Sequence, residues 1–131
     1  MKLALAIAPF VLAGSVFAAA ASETTSSGLV FTPIVEGTGA SPRVTDTVKV
    51  KYRGTFPDGR EFDSSGDTAV ELRLTRVIAC WMEALPKMKV GGKAKLVCPP
   101  SIAYGNRGAG DVIPPGATLN FDVELVDIVR K

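Results

Sequence analysis

The sequence predicts an α+β domain in which a curved antiparallel β-sheet wraps around one short α-helix. Three observations carry this. Apolar and charged residues alternate around 48–53, 94–98 and 119–125, the period of two expected of strands with one buried face. A single stretch, 77–85, shifts to a helical period, with Val77, Cys80, Trp81, Ala84 and Leu85 on one side. Compact turn signals such as Gly37-Thr38-Gly39 and Pro57-Asp58-Gly59 punctuate the chain. A sheet bent over a helix leaves a cleft at one end, lined by the inward aromatic residues.

The elements follow in order. Residues 1–20 have the pattern of a secretory signal peptide: Lys2 is positive, 3–16 is apolar and uncharged, and Val16-Phe17-Ala18 or Ala18-Ala19-Ala20 offers a cleavage site. The alternative is a membrane anchor, but the run is shorter than the ~20 apolar residues that span a bilayer. No cysteine follows the cleavage region, which argues against lipid attachment. An Ala-rich leader fits bacterial export to the periplasm or beyond, with no membrane association after cleavage. Residues 21–28 are polar and Ser/Thr-rich and read as a flexible tail. Residues 29–131 form one domain, near the ~100 residues at which a single core supports itself.

Within that domain, 29–35 is a first extended piece. Val48, Val50 and Tyr52 alternate with Lys49, Lys51 and Arg53 in a half-buried strand. Residues 61–65 return after the turn, and Leu72 and Leu74 alternate with Glu71, Arg73 and Thr75 in a further strand. The helix over 77–85 is expected to stop at Pro86. Ala94, Leu96 and Cys98 alternate with Lys93 and Lys95, and Val97 marks partial cover on the other face. Residues 104–116 are a long loop. Leu119, Phe121, Val123 and Leu125 form the last strand, and the loss of alternation over 126–129 points to a bulge or a doubly covered end. The expected count is four or five strands.

Composition excludes much chemistry. Fifteen Lys+Arg stand against 13 Asp+Glu, a formal charge of +2, with no basic block, so nucleic acid is not an expected partner. The chain has no histidine. That removes Ser-His-Asp and Cys-His catalysis and the commonest zinc ligand. Two cysteines cannot close a zinc site without carboxylate help, and no metal or cofactor is expected. What stands out instead is an apolar and aromatic set with few polar groups in it, suited to rotation about a bond with no nucleophile.

Cys80 and Cys98 are an even pair in a chain that reads as exported, which favours a disulfide. Cys98 shares a strand face with Ala94 and Leu96, towards the helix that carries Cys80. The alternative is two buried, reduced thiols. No C-x-x-C spacing supports a redox role.

Several motifs in order give a specific resemblance. They are Val50-Lys51-Tyr52-Arg53-Gly54, Asp58-Gly59-Arg60-Glu61-Phe62-Asp63-Ser64-Ser65 and Val77-Ile78-Ala79-Cys80-Trp81. Gly91-Gly92-Lys93-Ala94-Lys95-Leu96, Ile102-Ala103-Tyr104-Gly105 and the stretch 113–125 complete the set. Over about residues 28–131 the chain resembles the FKBP family of peptidyl-prolyl cis-trans isomerases. The resemblance implies a pocket walled and floored by Tyr52, Phe62, Val77, Ile78, Trp81, Ile113 and Phe121. It implies polar contacts from Asp63 and Tyr104, and a ligand carbonyl bound by the Ile78 N–H. Phe62, Asp63 and Tyr104 are the expected catalytic set. Asp63 would either shape the field near the twisting carbonyl or hold a neighbouring side chain.

The implied substrates are proline-containing unfolded or partly folded proteins, with macrolides as expected inhibitors. Departures from the family pattern fall at Val70, where an aromatic wall residue is frequent, at Ala79-Cys80, and at the short segment between Val70 and Val77. The N-terminal dimerisation domain of periplasmic relatives is not seen, so a monomeric catalytic domain is expected. Each site residue also has a plainer reading. Trp81, Tyr52, Phe62 and Phe121 would be core, Asp63 a turn residue, and Tyr104 an ordinary loop tyrosine. A binding module that holds proline segments without turnover is the competing function.

Overall fold

The computed structural model describes residues 21–130. The expected signal peptide, 1–20, lies outside the described residues. Seven strands form one antiparallel sheet: β1 (Glu23–Thr24), β2 (Val30–Val35), β3 (Thr47–Thr55), β4 (Glu61–Ser64), β5 (Val70–Arg73), β6 (Lys93–Cys98) and β7 (Leu119–Val129). Their spatial order is β1-β2-β6-β7-β3-β4, and β5 also pairs with β3. β3 is therefore central. One edge pairs with β7 along its whole length, while the other is divided: β5 takes Thr47–Val50 and β4 takes Arg53–Thr55.

The expected count of four or five strands is too low. β1 and β4 run for two and four residues, too short for a period of two to stand out, whereas β5 is the strand expected around Leu72. The tail over 21–28 is also not free. Glu23 and Thr24 pair with Phe31 and Val30, Ser27 Oγ donates to Glu83 at 2.5 Å, and Lys87 Nζ lies 3.3 Å from Glu23. Polar composition misled here because a two-residue strand carries no pattern and the ties to Glu83 and Lys87 join residues far apart in the sequence.

Three bulges bend the sheet. Register shifts leave Ile34 unpaired on β2, Phe62 on β4 and Val126 on β7. The last is the bulge anticipated over 126–129. A bulge adds local twist and redirects a side chain. At Phe62 this happens at the mouth of the cleft.

Among the described residues one α-helix, α1 (Ala79–Ala84), packs against the sheet. It is shorter than the expected 77–85. Val77 and the N-cap Ile78 are extended, and Ile78 offers no side-chain cap. β-branched residues without a capping oxygen do not start a helix well. Pro86 ends the α-helix as expected, but the chain coils on through a 3-10 turn, Leu85–Lys87, with the proline in its first positions. Leu74 does not sit in a strand. It opens a 3-10 turn, Leu74–Arg76, and is fully buried.

The core forms between the two layers. Cys80, Trp81, Ala84, Leu85 and Met88 from the helical side meet Phe31, Val48, Val50, Ala94, Leu96, Cys98, Phe121, Val123 and Leu125 from the sheet. A disulfide joins Cys80 to Cys98, with Cα atoms 5.8 Å apart, and ties α1 to β6.

Candidate active site

A cleft of about 370 Å³ opens at one end of the sheet, above α1. Tyr52 comes from β3, Phe62 and Asp63 from β4, Leu72 from β5, Val77, Ile78 and Trp81 from the start of α1, and Tyr104 and Phe121 from the loop and β7. Arg76 completes the lining. Eight of the nine residues singled out in the sequence therefore meet in one place.

The cleft is built from aromatic contacts. Trp81 lies 5.2 Å from both Tyr52 and Phe121, each at nearly a right angle, and Phe62 stands edge-on to Phe121 at 5.6 Å. Phe56 backs Phe62 at 5.0 Å, and Arg60 lies over the Phe56 ring. Perpendicular pairs set the positive ring edge against the negative face, so each ring fixes the tilt of the next. The Trp81 ring is almost wholly buried, and its Nε1–H has no oxygen or nitrogen partner among the described residues. The floor is therefore apolar apart from this one unpaired donor.

The polar groups are few and specific. Tyr52 Oη donates to Asp63 Oδ2 at 2.7 Å, and the Ser64 N–H donates to Asp63 Oδ1 at 2.8 Å. The backbone of Tyr52 is clamped in turn: its N–H donates to Ser65 Oγ and its carbonyl accepts from the Ser65 N–H. Asp63 thus holds a neighbouring side chain, one of the two roles left open by the sequence. Burial pushes the Tyr52 hydroxyl up to about 12, and the bond to Asp63 and its charge add to the shift. Tyr52 is a neutral donor throughout the physiological range.

Ile78 is the N-cap of α1, so its N–H lies outside the helical ladder, and no backbone acceptor for it is found among the described residues. Tyr104 lines the cleft and is 40% exposed.

Ile113 does not line the cleft as expected. It bridges to Ala109 across the loop and is 4% exposed within the core. That loop also requires Gly108 at φ +70, where a Cβ would stand 2.2 Å from the Ile113 carbonyl oxygen. Val70 is not a wall residue either; Leu72, two positions on, takes that place.

Sequence reasoning missed three contributors. Leu72 had only the signal of a strand core, and Arg76 had none. Gly54 stands beneath the aromatic wall: a Cβ there would lie 2.6 Å from Phe62 Cζ and 2.9 Å from Phe121 Cε1. Its place in the Tyr52-Arg53-Gly54 motif was the only hint.

Fold and cleft define a sheet-on-helix domain with an apolar, aromatic cleft at one end. Residues 39–126 match the family described as FKBP-type peptidyl-prolyl cis-trans isomerase. The chain belongs to that family. It is 49% identical over 108 residues to the FKBP-type peptidyl-prolyl cis-trans isomerase FkpA of Escherichia coli K12, a match that covers 81% of this chain and 40% of that protein. It is 50% identical over 110 residues to the FKBP-type 22 kDa peptidyl-prolyl cis-trans isomerase of the same organism, covering 82% and 53%. A crystal structure of a peptidyl-prolyl cis-trans isomerase from Pseudomonas syringae pv. tomato superposes with a TM-score of 0.80 at 34% identity, over 99% of this chain and 100% of that one. The chain thus spans about half the length of the two curated relatives it matches.

Proposed function

We propose that this protein is a peptidyl-prolyl cis-trans isomerase that accelerates rotation of X-Pro bonds in proteins folding outside the cytoplasm. The observation that carries the reading is the apolar bowl around Trp81, walled by Tyr52, Phe62, Val77, Ile78 and Phe121 and edged by a few fixed polar groups. Isomerisation has a barrier of ~18–20 kcal/mol because the amide C–N bond is partly double. Without catalysis it takes tens to hundreds of seconds. The planar amide places negative charge on its oxygen, and water stabilises that charge. A pyrrolidine pressed on Trp81 brings the amide out of water. The twisted amide separates less charge and loses less by the transfer, so the barrier falls. No proton moves and no cofactor takes part.

The polar groups orient the substrate. The Tyr104 hydroxyl and the Ile78 N–H donate to substrate carbonyls, and the Asp63 carboxylate holds Tyr52 upright as a wall. A hydrogen bond that improves as the amide twists is worth roughly 1–3 kcal/mol, about one to two powers of ten in rate. The same bowl suits the apolar ring of a rapamycin-class macrolide. Residues 1–20 serve as an export signal, the catalytic domain spans 29–131, and the mature protein works as a periplasmic monomer on proline-containing, incompletely folded chains.

NMR exchange spectroscopy on an X-Pro peptide tests the activity. Cis–trans exchange should speed up well above the blank and return to it when a macrolide saturates the cleft. Folded protein that gives no rate gain would refute the catalytic reading.

A further inference from the structure

Two of the residues that line the cleft carry charge, Asp63 and Arg76. Asp63 is already engaged: one oxygen accepts from Tyr52 Oη and the other from the Ser64 N–H. Arg76 is not. It closes the 3-10 turn just before Val77 and Ile78, and it is exposed. No carboxylate oxygen among the described residues lies within 4.0 Å of its guanidinium, and none of their hydrogen bonds uses its side chain. Arg53, Arg60 and Arg130 are each paired with a carboxylate. Arg73 and Arg107 are unpaired too, but neither lines the cleft. A permanently charged group with five donors therefore stands free at the mouth of an apolar bowl.

We propose that Arg76 selects substrates with an acidic side chain next to the proline. The inference rests on the isomerase reading above. A peptide whose pyrrolidine sits on Trp81 passes its neighbouring side chains over the rim, where Arg76 is the free cation. Low-dielectric walls beside the guanidinium focus its field on that stretch of peptide. A carboxylate there gains a bidentate partner, and a lysine meets a like charge. The rim is wet, so the gain is that of an exposed ion pair: about two- to fivefold in kcat/KM at low ionic strength, shrinking as salt is added.

NMR exchange rates, which need no coupling protease, test this with peptides bearing Glu, Gln or Lys immediately before or immediately after the proline. The expected order at one position or the other is Glu above Gln above Lys. Arg76→Glu should invert it, and Arg76→Lys should keep the order with a smaller spread. Every result is read as a ratio to Gln within one variant, so a general change in activity cancels. Equal Glu:Gln ratios in the wild type and Arg76→Glu at both positions would overturn the proposal and leave the isomerase reading intact. If no peptide is accelerated at all, the isomerase reading fails and this one fails with it.

Discussion

The disulfide between Cys80 and Cys98 offers the sharpest stability prediction. The cysteines are 18 residues apart in sequence, and both side chains are wholly buried. Closing a loop of that length removes unfolded-state entropy worth about 3 kcal/mol. Replacing both sulfurs by methyl hydrogens in Cys80→Ala/Cys98→Ala leaves small voids that add on the order of 1 kcal/mol. The double variant should therefore lose about 3–4 kcal/mol, or roughly 12–25 °C in Tm for a domain of this size. Urea unfolding followed by circular dichroism is the suitable assay, because fluorescence from Trp81 would also report its disulfide neighbour. The slope m should rise in the variant, since an uncrosslinked chain exposes more surface when it unfolds. The bridge should resist reductant in the native state and yield only as the protein unfolds. A loss under about 1 kcal/mol with unchanged m would refute the reasoning, because the crosslink would then constrain nothing the fold does not already hold.

Two further outcomes follow from the cleft. Gly54→Ala places a methyl group against Phe62 and Phe121, two stiff rings packed edge-on against each other. It should cost about 1–3 kcal/mol in stability and reduce isomerase activity and macrolide binding together, although residue 54 is absent from the cleft lining. Wild-type activity after this substitution would mean that the ring positions are not critical. Tyr52 should titrate near 12 when followed by ultraviolet absorbance. Because its folded value lies above the ordinary 10.0, its contribution to stability is complete below pH 10 and is lost as pH rises from 10 towards 12. Asp63→Asn removes the charge but leaves the burial, so the Tyr52 value should fall and still remain above 10.0. An Asp63→Asn value equal to the wild type would mean that the Tyr52–Asp63 bond is not formed in solution.

How much could be read in advance depended on whether a signal was local. Long alternation over 48–53, 94–98 and 119–125 located the three strands that pair most extensively, β3, β6 and β7. Loss of that alternation over 126–129 pointed to a bulge or a doubly covered end, and the register shift puts a bulge at Val126. β5 showed through the alternation of Leu72 with Glu71 and Arg73, β4 was legible only as a return segment after the turn, and β1 looked like linker because two polar residues carry no pattern. Leu74 was assigned to a strand because its spacing from Leu72 is two. A 3-10 turn buries it equally well, and spacing cannot separate the two.

The sequence by itself determined the kind of protein this is. Hydrophobic period fixes which face of each segment must leave water, the missing histidine removes Ser-His-Asp and Cys-His catalysis, the ordered motifs place the aromatic residues, and an even cysteine count in a chain that reads as exported favours the disulfide. Only the tertiary structure decided which of those residues meet. It put Leu72 and Arg76 at the cleft, withdrew Ile113 into the core, and spent the Asp63 carboxylate on Tyr52. The reason is geometric. A side chain's surroundings are set by register, bulges and loop bridges that join residues far apart in the chain, and no local pattern records those distances.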